Sequence, residues 1–351
     1  MGKIKLWRPP LGQMGFFDVQ NRLRSLDKAG DPLEILNNVI PWEEFRDTLR
    51  QALRNRERKS AAGRPPHDEV LMFKILVLQS LYNLADDRVE YQIKDRLSFM
   101  RFLGIGTEGI VPDAKTIWLY RNELSKDGWG EKLFQIFDGY LNKAGFSAKK
   151  GQIVDATFVE VPRQRNSKDE NDQIKEGKVP EEWQSNPNKL RQKDVDARWT
   201  KKNEENHYGY KNHVNIDRKH KLIRNFKVTA ASVHDSQALE DILDTNNGSR
   251  DIWADSAYKS EKIENLLEGK GIRSHIHDKG IRNHPLNELQ KKWNHARSKI
   301  RVRVEHVFGH FAASMNDREW TRGVGEVRIR MKVSMRNLTY NFWRFSKLQA
   351  A

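Results

Sequence analysis

Gly151-Gln152-Ile153-Val154-Asp155-Ala156-Thr157-Phe158-Val159-Glu160 has the β-branched and aromatic composition of a buried strand, yet an aspartate stands in its middle. A buried carboxylate is costly without a positive partner. The pattern recurs at Asp251-Ile252-Trp253-Ala254-Asp255, a short apolar run that ends in an acid and leads into Ser256-Ala257-Tyr258. A third acid, Glu305, lies in the helical-looking stretch Arg301-Val302-Arg303-Val304-Glu305-His306-Val307-Phe308. Two acids that interrupt or end strands and one on a helix point to one shared site. Carboxylate oxygens without Cys or clustered His select hard cations, Mg²⁺ or Mn²⁺. Two such ions about 3.5 to 4 Å apart clamp the attacking and leaving oxygens of an in-line phosphoryl transfer. Positioning and electrostatics then supply most of the rate.

Each acid also has a purely structural reading. Asp155 could cap a turn, Asp255 could be the N-cap of the next helix, and Glu305 could pair with Arg301 one turn earlier. Histidines offer rival metal sites: His275 and His277 share a strand face, and His306 and His310 are one helical turn apart. Neither pair has a third ligand at a characteristic spacing, and neither forms His-Glu-x-x-His. No phosphate-cradling Gly-rich loop and no Gly-x-Ser-x-Gly elbow occurs.

The 351 residues are enough for two domains, and their formal net charge of +15, with 32% charged residues, favours a polyanionic partner. The absence of Cys excludes disulfide frameworks and thiolate zinc sites. No apolar run resembles a signal peptide or approaches the roughly 20 residues of a membrane span. A soluble, cytoplasmic protein with no membrane partner is expected.

The elements that must position these acids follow in order. Residues 1–60 read as a Pro/Gly-punctuated arm and a basic helix from Pro41, with Trp42, Phe45, Leu49 and Leu53 on one face and a possible role in dimerisation. Residues 61–147 read as a helical domain. Its hub helix starts after Asp68, and a later helix is capped by Asp113. Short helices with tight turns are the raw material of helix-turn-helix DNA binding and equally of an ordinary bundle. If the helix at Asp113 reads DNA, Lys115, Trp118 and Arg121 are nearest its polar edge. Residues 148–346 alternate strands and helices as a mixed α/β layer with a central sheet. Residues 163–206 interrupt it with a polar insertion too poor in apolar residues for its own core, in which Trp183 and Trp199 either pack or stack on unpaired bases. A hairpin follows, whose alternation puts Gly209, Lys211 and His213 on one face. The last helix repeats Val327, Met331, Met335, Leu338, Phe342 and Phe345 at core spacing.

These residues resemble those of bacterial insertion-sequence transposases of the DDE class, in the insertion-sequence-five group, and the likeness covers most of the chain. Gly63-Arg64-Pro65-Pro66, Ser98-Phe99-Met100-Arg101-Phe102-Leu103-Gly104 and Pro112-Asp113-Ala114-Lys115-Thr116-Ile117 look like that group's amino-terminal DNA-binding domain. Ile153-Val154-Asp155-Ala156-Thr157, the stretch from Asp194 to Thr200, Tyr208-Gly209-Tyr210-Lys211, Val233-His234-Asp235-Ser236, Ala254-Asp255-Ser256-Ala257-Tyr258 and Val304-Glu305-His306-Val307-Phe308-Gly309 look like its catalytic domain.

The resemblance implies an α/β fold: a ribonuclease-H-like catalytic domain, a mixed central sheet flanked by helices, preceded by an all-α DNA-binding domain. It implies Asp155, Asp255 and Glu305 as a catalytic, Mg²⁺-binding triad, with Mn²⁺ able to substitute. It further implies a homodimer on double-stranded DNA that cuts terminal inverted repeats and joins the freed 3′-hydroxyls to target DNA. The family's helix signature is Tyr, two residues, Arg, three residues, Glu, six residues, Lys. Arg301 and Glu305 match it, whereas Ser298 and Ala312 stand at the Tyr and Lys positions, which leaves the terminal-phosphate contact to Arg303 or Lys299. Expected DNA contacts are therefore Lys115, Trp118, Arg121, Trp199, Lys211, Lys299, Arg301 and Arg303. The alternatives are a nuclease of the same fold that cuts without joining, and a DNA-binding regulator without chemistry.

Overall fold

Asp68 accepts the Leu71 N–H at 2.9 Å and so starts a helix, α4 (Glu69–Tyr82), that is apolar on nearly every side and buried along most of its length. The computed structural model describes residues 15–53, 65–202, 204–280, 284–315, 321 and 323–350. The opening arm at 1–14 and most of the basic connector, including Gly63 and Arg64, lie outside the described residues. Before α4 come α1 (Asp18–Ala29), α2 (Pro32–Val39) and α3 (Arg46–Leu53). Residues 18–39, read from sequence as part of an arm, are thus two helices. Asp31 caps the second through Leu33 N–H, and Leu33 and Leu36 are buried. After α4 come α5 (Asp86–Asp95), α6 (Leu97–Leu103), α7 (Ala114–Leu124) and α8 (Trp129–Lys143).

The sheet begins with β1 (Gln152–Glu160). The insertion follows as α9 (Lys168–Lys175), α10 (Glu181–Gln184), α11 (Pro187–Leu190) and β2 (Arg198–Lys202). Then come β3 (Glu205–Asp217), β4 (Ile223–Ala230), α12 (Leu239–Ile242), β5 (Asp251–Trp253), α13 (Glu261–Gly269), β6 (Arg273–Ser274), α14 (Glu288–Ala313) and α15 (Glu326–Gln349). β3 runs antiparallel to β1 and also pairs β2 and β4, while β5 lies parallel to β1 and β6 parallel to β5. This mixed sheet with helices packed on it fits a ribonuclease-H-like domain.

α15 joins the helical segment to the sheet. Phe342 meets Phe137 at 4.7 Å, Trp42 at 5.5 Å, Phe45 at 5.8 Å and Phe73 at 6.4 Å between ring centroids, mostly edge to face. On the sheet side Asn341 accepts the Ile223 N–H at 2.9 Å and donates to Ile223 O at 2.8 Å, beside an irregularity in the β3–β4 register. One apolar core runs from Leu33 through Phe73 and Phe137 to Ile153 and Val214. Val327, grouped from sequence with the core residues of this helix, is instead 53% exposed near its start.

The insertion is ordered by polar bonds around a small apolar centre. Ser167 and Glu170 form a reciprocal capping box on α9. Trp183 is fully buried, and its indole N–H donates to Glu170 at 2.6 Å. Asp194, 1% exposed, accepts from Tyr210 Oη at 2.7 Å and from Gly325 N–H at 3.0 Å, which ties the insertion to β3 and to the start of α15. Of the two readings of Trp183, packing is the one the structure realises.

Candidate active site

The parallel pairing of Gln152 with Ile252 and Ile153 with Trp253 places Asp155, in the middle of β1, level with Asp255 just beyond the end of the neighbouring β5. Both are half-buried. Asp255 caps the short 3-10 turn Ser256–Tyr258 through Ala257 N–H at 2.9 Å, and Asp155 Oδ1 accepts its own neighbour's N–H, Ala156, at 2.8 Å. α14 packs against β1 and β5 here. Its Arg301 Nη1 lies 2.6 Å from Asp155 Oδ2, and Nη2 lies 3.4 Å from Glu305 Oε1. The structural readings of Asp255 and Glu305 are therefore realised, whereas Asp155 lies within β1 rather than at a turn; Arg301 joins Asp155 to Glu305, and the charge of Asp255 bears on Asp155.

Burial pushes Asp155 from the ordinary 3.8 up to about 6. The Arg301 charge and the Ala156 N–H oppose that rise, and the negative charge of Asp255 adds to it. The ion pair at 2.6 Å and the raised pKa pull in opposite directions, and desolvation of the carboxylate prevails. Tyr258, the last residue of the Ala254-Asp255-Ser256-Ala257-Tyr258 motif, belongs to the same neighbourhood. Its hydroxyl is buried without a hydrogen-bond partner, and burial with the charges of Asp155, Asp235 and Asp255 holds its pKa far above the ordinary range.

The donors at this point are carboxylate oxygens, a set that suits a hard cation. Among the described residues no three Asp, Glu or His side chains stand together as a group that could hold a metal, and Arg301 links Asp155 to Glu305. Glu305 is the exposed member, with 57% of its side chain accessible. The rival histidines have other partners. His275 pairs with Asp251 at 2.9 Å and stacks on Trp253, and the buried His310 stacks on Trp343 with centroids 3.8 Å apart. Ser298, at the signature's Tyr position, lies 3.4 Å from His277.

The residues expected to touch DNA fall in different places. Lys115 and Lys299 are exposed, and Trp199 is 47% exposed on the edge strand β2, tilted against Tyr208 and 5.4 Å from the Arg163 guanidinium. Trp118 and Arg121 line a cleft of about 690 Å³ between α4, α5, α7 and α15, where Arg121 grips Asp86 through both nitrogens. Arg303 donates to Arg218 O at 2.7 Å. Lys211 is only 9% exposed, and its ammonium donates to Val233 O and to Asp235, each at 2.8 Å. A cation on a pleated strand beside an acidic site reads from sequence as a DNA contact, but Lys211 lies on the covered part of β3 and neutralises Asp235. No sequence rule placed Asp235 there, although the Val233-His234-Asp235-Ser236 stretch had been singled out.

No described helix is long and apolar enough to cross a membrane. Residues 147–342 match the family model described as "Transposase DDE domain", and residues 21–123 match the one described as "Transposase domain (DUF772)". Among solved structures the chain is similar to the piggyBac transposase in its synaptic complex with hairpin DNA. The identity is 12% and the TM-score 0.46, with 93% of this chain and 76% of that chain covered.

Proposed function

Since the chain belongs to the transposase DDE domain family, whose model spans more than half of it, we propose that it binds the terminal inverted repeats of an insertion sequence, cleaves the DNA at the element ends, and joins the freed 3′-hydroxyls to target DNA. The observation that carries this reading is that Arg301 joins Asp155 to Glu305 while the charge of Asp255 bears on Asp155 from the neighbouring strand, in a chain of net charge +15. Asp155, Asp255 and Glu305 are the residues that would hold Mg²⁺ or Mn²⁺. When bound, such an ion polarises a phosphoryl oxygen and lowers the pKa of an attacking water or hydroxyl.

The protein's own groups do the positioning. Asp155 is kept out of bulk water by β1 and its neighbours, Asp255 is fixed by its cap, and Arg301 orients Asp155 and Glu305 together. Lys299, Arg303 and Trp199 supply sequence-independent contacts to phosphates and unpaired bases, the helix capped by Asp113, which carries Lys115, reads the repeat, and two copies of the chain act on the paired ends.

The test is incubation of the purified protein with DNA ending in the element's own inverted repeat, plus a target plasmid, in Mg²⁺ and in EDTA. Metal-dependent cleavage at the repeat together with joined product supports the proposal. Cleavage without joining would make the protein a nuclease of the same fold. DNA binding with neither product in Mg²⁺ or Mn²⁺ would favour a regulator.

A further inference from the structure

The other ends of β1 and β5 frame a second concavity. Lys149, Lys150, Arg218, Lys219 and Arg303 line a cavity of about 480 Å³, together with Ser249 and Asp251. Asp251 does not offset their charge freely, because it is held by Ser249 Oγ at 2.8 Å, His275 at 2.9 Å and Arg273 at 3.0 Å. Lys149, Lys150 and Lys219 are exposed and make no ion pair among the described residues. A concave surface with unopposed cations focuses its field on an anion.

The cavity walls are fixed by their own bonds. Gly248 N–H donates to Ala148 O at 2.8 Å, Arg218 N–H to Gly151 O at 3.0 Å, and Arg303 to Arg218 O at 2.7 Å. The Arg218 guanidinium lies 4.6 Å over the Trp253 ring. Gly151 takes φ +92°, and a Cβ there would stand 2.5 Å from Trp253, so only glycine admits this approach of β1 to β5. Walls set in this way need little reorganisation on binding.

We propose that this cleft binds the phosphodiester backbone of the DNA strand held at the acids, a few nucleotides from the bond that is cut. The proposal rests on the transposase reading. From Gly151 to Asp155 the strand advances four residues, ~13 Å at about 3.3 Å per residue. A DNA strand rises about 3.4 Å per nucleotide, so the same span covers ~4 nucleotides. Arg303 and Arg301, two residues apart on α14, connect the two places: one reaches the cleft wall and the other reaches Asp155.

The test has two arms. In the first, a 20-base-pair duplex of arbitrary sequence is titrated at several salt concentrations. Lys149→Ala/Lys150→Ala is expected to bind more weakly, with a slope of log affinity against log salt less negative by about 1.8, the value for two lost phosphate contacts. Lys262→Ala, an exposed lysine on α13, serves as the control. In the second arm, DNA carrying the cleaved end receives neutral methylphosphonate linkages three to five nucleotides from the cut. These should weaken wild-type binding and leave Lys149→Ala/Lys150→Ala almost unaffected. An unchanged salt slope in the double variant, or an equal methylphosphonate loss in both proteins, would overturn the cleft assignment. Failure of the wild type to bind either DNA would instead overturn the transposase reading. Circular dichroism melts of the variant exclude a folding defect.

Discussion

Arg301 spans two of the three acids, with Nη1 2.6 Å from Asp155 Oδ2 and Nη2 3.4 Å from Glu305 Oε1. A cation so placed holds the carboxylates in register and at the same time occupies their inner oxygens. Removing it has opposite effects on charge and order. Arg301→Ala should raise the Asp155 pKa further, because its charge is one of the influences holding that value down. The acid limb of the cleavage rate should then move to higher pH. A pH–rate profile with an unmoved limb would remove Arg301 from that role.

Asp155 itself makes a sign-specific prediction. Its folded pKa of about 6 stands above the ordinary 3.8, so the folded state binds more protons between these values and loses stability as pH rises through them. Asp155→Asn should abolish cleavage and, in EDTA, stabilise the fold above pH 6 by up to about 3 kcal/mol, at about 1.4 kcal/mol per pKa unit. That gain should vanish near pH 4. Urea unfolding at pH 4 and pH 8 measures both ends.

His310 works the other way. Burial lowers its pKa from 6.5 to about 4, so stability is lost as pH falls through that window, when the unfolded chain takes up the proton first. His310→Phe, which keeps a ring against Trp343, should flatten the stability curve between pH 6.5 and 4. Parallel urea curves for wild type and variant across that range would refute it.

Phe342 joins the helical segment to the sheet, and Phe342→Ala should cost about 3 to 5 kcal/mol. Because the core is continuous, far-UV circular dichroism and tryptophan fluorescence should report one shared transition at a lower urea midpoint. Two separated transitions would show that the segments unfold independently.

The two tryptophans of the insertion should separate cleanly. Trp183→Ala removes a fully buried ring and the Glu170 bond and should cost about 3 kcal/mol or more, seen as protease sensitivity within 163–206. Trp199→Ala, at a half-exposed edge, should change stability by no more than about 0.5 kcal/mol while weakening binding to single-stranded DNA. Unaltered binding would assign Trp199 to the Tyr208 contact alone.

Much of the local structure was legible because local chemistry governs it. Asp68 and Asp113 announce helix starts and do cap them, and the β3–β4 hairpin follows from its spacing and turn. Helices α1 and α2 were missed because their apolar stripes are short, so Leu33 and Leu36 signal little until α6 and α15 cover them. How the polar insertion is ordered was not legible for a related reason. Its order comes from Asp194 and Trp183, whose partners Tyr210, Gly325 and Glu170 lie in other elements.

The sequence by itself determined the kind of site: one carboxylate within a strand, one at a strand end and one on a helix, no thiolate, and a surplus of cations for a polyanion. Strand and helix periodicity and capping are short-range effects, and they act before any tertiary contact forms. Only the tertiary structure decided which cation sits on which acid. Arg301 reaches Asp155 across 146 residues, and Lys211 turns inward to Asp235. Such pairings depend on how helix and sheet pack and on how much water that packing removes, and this burial is what lifts Asp155 to a pKa of about 6.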